Sequence, residues 1–349
     1  MSARHRLALV VLWIMAGCAH REPVAPDAAL TGDAPFRFAL VGDVPYTDAQ
    51  TAMFDNLIAA VNADRRVRFV LHVGDIKGGS APCDDAALLG RFRQYQRFDR
   101  PFVYTPGDNE WTDCHRGKAG RFYPPERLAR LREIFFPAPG FTAGMAVKVR
   151  SQSALPDFAE FVENVLWVQA RVVFATVHVV GSNNNLEPWS GIDPGDSAAH
   201  PRADRLAEFQ RREAAALAWL EEVFRVARQR RSAGVFVAIH ANPNFDLAAE
   251  DAGRQGFNAF LDLLEAKTVA YGRPVVLAHG GSHYFRIDKP LFGPTVDGPR
   301  RRLEHFTRVE TFGTDDVHWI RVNVDPADPN VFGFEPAIVP ANRFARPPP

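Results

Sequence analysis

Three aspartates and two histidines stand where short apolar runs of the chain stop: Asp43 after FRFALVG, Asp75 after FVLHVG, Asp108 after FVYTPG, His240 after FVAI and His283 after VVLAHGGS. Carboxylate and imidazole suit divalent transition metals such as Mn, Zn or Fe. Two such ions about 3.5–4 Å apart polarise a phosphoryl group and generate hydroxide near neutral pH. The chemistry these residues point to is metal-assisted hydrolysis. One Gly-Asp pair is a weak signal, because an Asp in that setting is most often a turn residue bonded to its own backbone. Five ligand-type residues at five separate strand ends are hard to explain by turns or packing alone.

Short apolar runs that stop at Gly predict buried parallel strands, and the ligands of such sheets collect at the strands' carboxyl ends. Strands are predicted over 36–42, 67–73, 102–105, 234–239 and 274–278, with helices near 48–63, 84–98, 125–135 and 255–269. The spacing D-x(31)-D-x(32)-D is that of successive βα units. Residues 159–180 predict two more strands with a turn at Gln169-Ala170, and the polar GSNNNLEPWSGIDPGDS that follows is long enough to border a site. From Arg202 to Arg231, Leu206, Phe209, Leu217, Leu220 and Phe224 recur at helical spacing, which predicts a long amphipathic helix covering the sheet. The segment 303–337 adds two or three strands. No repeat or second boundary interrupts residues 35–340, read as one domain with a Pro-rich tail over 341–349.

The 349 residues are 46% hydrophobic and 23% charged, a globular composition. Lys+Arg and Asp+Glu both number 41, and no basic stripe is interleaved with aromatics, so nucleic-acid specificity is not expected. At the amino end, Arg4, His5 and Arg6 precede an apolar run from Leu7 to Met15 and small residues before Cys18, the layout of a secretory signal over 1–17 that is too short to span a bilayer. Met15-Ala16-Gly17-Cys18 resembles a bacterial lipobox, which implies lipid on Cys18, a flexible tether over 18–34 and membrane anchoring on the periplasmic side. A plain cleaved signal, giving a soluble exported protein, is the alternative. In an oxidising compartment Cys83 and Cys114 are expected to form a disulfide between the loops after Asp75 and Asp108; two free thiols are the alternative.

In order and over Phe36–Arg286, these motifs resemble the calcineurin-like metallophosphoesterases. Gly42-Asp43 matches the family's first motif, Gly74-Asp75 the second, Gly107-Asp108-Asn109-Glu110 the third, His240 in HANP the fourth and Gly280-Gly281-Ser282-His283 the fifth. The resemblance implies an α/β fold, a four-layer α/β/β/α sandwich with mixed sheets flanked by helices. It also implies one or two divalent ions and a small phosphorylated substrate, with hydroxide attacking phosphorus. The ligand sets it implies are Asp43, Asp75 and His283 for one ion, and Asp75, Asp108 and His240 for the other.

The departures are specific. Pro45 and Gly281 stand where the family has histidine ligands, and Asp108 replaces the usual asparagine. Asn109 replaces the histidine that assists the leaving group, which leaves Glu110, a water, or a leaving group good enough to depart unaided. Three protein ligands plus water is still the pattern of an open catalytic site. His279, two residues before Gly281, is a candidate substitute ligand. His178 either faces the site or serves structure. His72 reads as a core residue, Asn183, Asn184 and Asn185 as turn caps or phosphate binders, and Lys77 or Arg116 as a phosphate receiver or a solvated charge. The main reading is a metal-dependent phosphoric ester hydrolase acting on mono- or diesters; the alternative is a catalytically degenerate binding or scaffold protein of the cell envelope. No G-x-S-x-G elbow favours a serine esterase.

Overall fold

The computed structural model describes residues 34–295 and 298–344. The leader over 1–17, Cys18, the tether up to residue 33 and the tail beyond 344 lie outside the described residues, and no described helix is long and apolar enough to cross a membrane.

The strands Phe36–Val41, Val67–His72 and Pro101–Tyr104 pair in parallel, Leu40 beside Leu71 and Leu71 beside Val103. Trp319–Val324 and then Phe332–Ala337 extend this sheet antiparallel on one side, and the two-residue Ala143–Gly144 closes the other. A second sheet is parallel through Phe306–Glu310, Val275–His279, Gly234–Ala238 and Val172–Thr176. Val165–Gln169 joins Val172–Thr176 as a hairpin whose turn falls at Ala170 and Arg171, both with positive φ as a type I′ turn requires, one residue past the predicted turn.

Alternation along the strands makes two faces. Phe38 and Leu40 join Phe69, Trp167, Phe174 and Phe236 in an apolar layer between the sheets, whereas Ala39 and Val41 face helices. In the inner layer Phe38 stacks on Phe69 at 4.5 Å and Trp167 meets Phe69 edge-on at 5.3 Å. Each such buried ring contributes about 1.5–3 kcal/mol of transfer free energy. Outside the first sheet lie Asp48–Ala63, capped by the Thr47 hydroxyl, and Asp85–Tyr95, capped by Asp84, with Pro124–Phe135 beside them. Ala203–Gln229 and Asn258–Tyr271 cover the second sheet through Trp219, Leu220, Val223, Phe260 and Leu264. The result is the four-layer α/β/β/α sandwich expected.

The long helix departs from its expected pattern in its first half. Leu206 and Phe209 are only half-buried, while Arg205, Glu208 and Arg212 are inside. Arg205 pairs with buried Asp196, and Arg212 with Glu208 and the Asn184 carbonyl, so this half grips the 181–200 loop rather than the sheet.

Candidate functional site

The carboxyl ends of the parallel strands of both sheets meet at one rim. Two groups of donors lie there, each with ligand atoms within 4.8 Å of one another: Asp43, Asp75 and His283, and Asp75, Asp108 and His240. Asp75 belongs to both. Asp43, Asp75 and His283 have φ of 55°, 54° and 60°, left-handed conformations that turn the chain sharply off its strand. Asp and His tolerate that region better than bulky or β-branched residues. A Cβ on Gly280 would sit 2.0 Å from Asp43 Oδ2, so the close approach of this turn to Asp43 depends on glycine.

The donors are held from behind. Asp43 accepts the Gly281 backbone N–H at 2.9 Å and the Thr311 hydroxyl at 3.2 Å. Asp75 accepts the Asn109 backbone N–H on Oδ1 at 3.0 Å and its side-chain amide on Oδ2 at 2.6 Å. His240 Nδ1 donates to the Val73 carbonyl at 2.8 Å, which aims Nε2 at Asp108 Oδ1, 2.9 Å away, and at Asp75 Oδ1, 3.3 Å away. An imidazole tethered to backbone through one nitrogen presents the other as an oriented ligand.

Burial and mutual repulsion set the electrostatics of the rim. Burial pushes Asp43 up to about 7. Asp75 is driven well above the usual carboxylate range by burial and by its neighbours Asp108, Glu110 and Asp43. Burial opposes charge on His240, but Asp75, Asp108 and Asp43 outweigh it and hold the ring's pKa well up, while His240 and Ser182 hold Asp108 down against its own burial. Three converging carboxylates and two imidazoles form a donor set of a type that suits a divalent cation.

Tyr46 is a site residue that sequence reasoning missed. Its hydroxyl donates to Asp75 Oδ2 at 2.7 Å, lies 3.1 Å from His283 Nε2 and accepts the Asn109 amide at 3.0 Å. It stands next to Pro45, the first position at which the resemblance would place a histidine ligand. Gly281, the second such position, has φ of 93°, and a Cβ there would lie 2.9 Å from the Asn242 backbone nitrogen, so a histidine would need a different turn. Ser182 and Asp113 were missed as well. The Ser182 hydroxyl bridges Asp108 Oδ2 at 2.9 Å and Asp113 Oδ1 at 3.0 Å, and burial with the nearby Asp108 charge raises Asp113 to about 7.

Several expected roles are corrected. Glu110 is fully buried and accepts the backbone N–H groups of Asp75, Ile76 and Gly107 and the Tyr104 hydroxyl at 2.6 Å, so it organises the Asp75 loop and is not an acid facing substrate. His279 is no substitute ligand: it ends its strand buried, outside both donor groups, and bonds the Gly280 carbonyl at 2.7 Å. His178 serves structure, with Nδ1 donating to buried Glu163 at 2.7 Å. His72 is a core residue between the Val44 carbonyl and the Gly74 N–H. Asn183, Asn184 and Asn185 are turn residues whose amides bond the Ala252 and Gly256 carbonyls and Glu208. Lys77 is tied to the Gly78 and Ala81 carbonyls. Arg116 is the cation at the rim, paired to Asp113 at 2.7 Å and partly exposed.

Cys83 and Cys114 form a disulfide. It ties the Thr112–His115 turn, next to Asp113 and Arg116, to the loop that follows Asp75. The bridge closes 31 residues of separation, so Cys83→Ala with Cys114→Ala is expected to lower stability by about 3–4 kcal/mol, read as a lower urea midpoint. An unchanged midpoint would contradict this.

Above the donors opens a cleft of about 540 Å³ lined by Tyr46, Asp75, Asp108, Asn109, Arg116, Ser182, Asn242, Phe257 and His283 among others. Its walls are mostly polar and shallow enough to admit a small charged ligand.

No family model matches the chain, and no curated protein does. Solved structures similar to it include GAP50, the anchor in the inner membrane complex of Plasmodium, at 11% identity and a TM-score of 0.44, covering 87% of this chain and 89% of that one. The 5'-nucleotidase from Candida albicans SC5314 aligns at 10% identity and a TM-score of 0.41, covering 89% of this chain, which spans about half, 52%, of the nucleotidase. Phosphopantetheinyl hydrolase from Mycobacterium tuberculosis aligns at 13% identity and a TM-score of 0.39, covering 81% and 91%. Likenesses this distant carry no argument about what the chain does.

Proposed function

We propose that this chain is a metal-dependent phosphoric ester hydrolase of the calcineurin-like metallophosphoesterase family, acting on small phosphomono- or diesters with one or two ions of Mn, Zn or Fe. The observation that carries the reading is the pair of three-residue donor groups sharing Asp75. Asp43, Asp75 and His283 would hold one ion, and Asp75, Asp108 and His240 the other. When bound, such ions polarise phosphoryl oxygens and make water nucleophilic near neutral pH.

The chain's own groups do the remaining work. Asn109 and Tyr46 grip the shared Asp75 and fix where its oxygens point. Arg116, at the cleft wall, is placed to receive a non-reacting phosphoryl oxygen through charge-assisted hydrogen bonds. Proton delivery to the leaving group is the weak step. Asn109 holds no acidic proton, and Glu110 is turned away from the cleft. The chain should therefore favour esters whose leaving group departs unaided, and turnover should fall steeply as the leaving group becomes more basic.

The signal-like amino end and the disulfide support export to the cell envelope, with lipid on Cys18 as the anchor. A scaffold or binding role is the second reading, favoured by the ligands lost at Pro45 and Gly281.

Metal content of the purified full chain, measured by mass spectrometry beside hydrolysis of aryl phosphomono- and diesters with chelator and with added Mn, tests the choice. The hydrolase reading expects about one or two ions per chain and turnover that chelator abolishes and Mn restores. No stoichiometric metal and no chelator-sensitive turnover would overturn it in favour of the scaffold.

A further inference from the structure

The opposite end of the sandwich, where the parallel strands begin, gathers arginines from segments far apart in sequence. A second cleft, about 560 Å³, is lined there by Arg65, Arg66 and Arg68, together with Pro35 and Phe36 and the turn from Asp325 to Phe332. Arg65 and Arg66 precede the Val67–His72 strand, and Arg68 is its outward-facing second residue. All three are exposed and have no ion pair or side-chain hydrogen bond among the described residues. Arg37 in the same cleft is committed to Asp64 at 3.0 Å.

The face continues beneath the second sheet. Exposed Arg171 reaches the Pro326 carbonyl at 2.9 Å, and exposed Arg273 bonds the carbonyl of Arg231 at 2.9 Å. The carboxylates within the cleft, Asp325 and Asp328, each cap the backbone of their own turn. Five exposed guanidinium groups, those of Arg65, Arg66, Arg68, Arg171 and Arg273, therefore gather on this face, where the cleft lining holds two carboxylates.

We propose that this arginine face docks on the anionic phospholipid headgroups of a bilayer, so that the acidic cleft points away from the membrane. Two observations select that occupant. The chain enters the fold through Pro35 and Phe36, in the wall of the arginine cleft, so the segment bearing the Leu7–Met15 apolar run and Cys18 departs from this face. The guanidinium groups of Arg65, Arg66 and Arg68, with no ion pair among the described residues, also match lipid phosphates, and each contributes about fivefold to surface binding near an anionic leaflet. This orientation does not depend on the phosphoesterase reading.

The test is co-sedimentation of the full chain carrying Cys18→Ala, which has no acyl acceptor, with phosphatidylcholine vesicles made with and without phosphatidylglycerol. Binding to pure phosphatidylcholine reads the apolar amino segment, so the difference between the vesicles reads the face. Phosphatidylglycerol should increase binding, and high salt should remove the increase. R65Q/R66Q/R68Q should weaken it about a hundredfold. R65K/R66K/R68K should retain it, which separates lost charge from lost fold. Equal binding to both vesicles, or a glutamine variant that binds like its parent, would overturn the proposal. Displacement by millimolar inorganic phosphate would also overturn it, by showing a site for soluble anions instead of a docking surface.

Discussion

Asp75→Asn is expected to strip the protein of stoichiometric metal and lower turnover by about 10³-fold or more, because it removes the one carboxylate common to both donor groups. Asparagine is the informative choice. Position 75 has φ of 54°, a conformation asparagine accepts and alanine resists, so the backbone of the turn survives the change. The metal-free fold should survive too. Asp75 sits beside Asp108, Glu110 and Asp43 in a buried setting that already pushes its pKa well up, so replacing its carboxyl with a neutral amide relieves repulsion there, although one of its oxygens no longer accepts from Asn109. The metal-free melting temperature is therefore expected to stay near that of metal-free wild type. The stabilisation that Mn gives the wild type should vanish in the variant. A variant that keeps its metal and its turnover would remove Asp75 from the site. One that melts far below metal-free wild type would show that its bonds to Asn109 and Tyr46 matter more for folding than for binding.

What was legible in the sequence is what a strand end announces. Asp43, Asp75, Asp108 and His240 follow apolar runs directly, so their placement at one rim follows from the direction of parallel strands. Cys83 and Cys114 were legible because each lies shortly after one of those ends. What was illegible depends on how a turn rotates its side chains. Glu110 follows Asp108 and Asn109 in sequence, yet the turn sends its carboxylate back under Gly107 while Asn109 faces Asp75. His279 would share a face with position 281 only if the strand stayed extended, but the strand stops at that residue and Gly281 takes a left-handed conformation, so the alternation does not carry through. Tyr46 gives no strand-end signal, because it reaches Asp75 only through the turn after Val44 and Pro45. That Arg205, Glu208 and Arg212 turn inward was illegible because their partners, Asp196, Asn184 and Asn185, lie in a loop whose path periodicity does not encode. The arginine face escaped notice for a similar reason, since it assembles from three separate stretches of chain.

Glu163→Gln should produce a large stability loss at a position away from the rim. Glu163 is fully buried, where its carboxylate takes a two-pronged contact from Arg132, at 2.6 and 3.0 Å, and the Nδ1–H of neutral His178 at 2.7 Å. Burial alone would raise its pKa, but Arg132 and His178 outweigh burial and hold it down at about 2, against 4.5 for the free side chain. Because the folded value lies below the unfolded one, the pair stabilises the fold fully above pH 4.5, and that contribution is lost as pH falls toward 2. A shift of this size corresponds to about 3 kcal/mol, the same order as the penalty for leaving the partly buried Arg132 without its partner. Urea unfolding of wild type and variant should therefore differ by about 3 kcal/mol at neutral pH, and the gap should narrow near pH 3. Comparing the two proteins at each pH cancels the titration of the rim carboxylates, which both share. A gap that stays constant with pH, or one below about 1 kcal/mol at neutrality, would show that Arg132 is satisfied by Glu160 alone. The consequence reaches the cleft, because His178 leads into Gly181 and Ser182, and Ser182 holds Asp108. Loosening the Glu163 clamp should therefore also weaken metal retention at the Asp75, Asp108 and His240 group while sparing the Asp43 and His283 side.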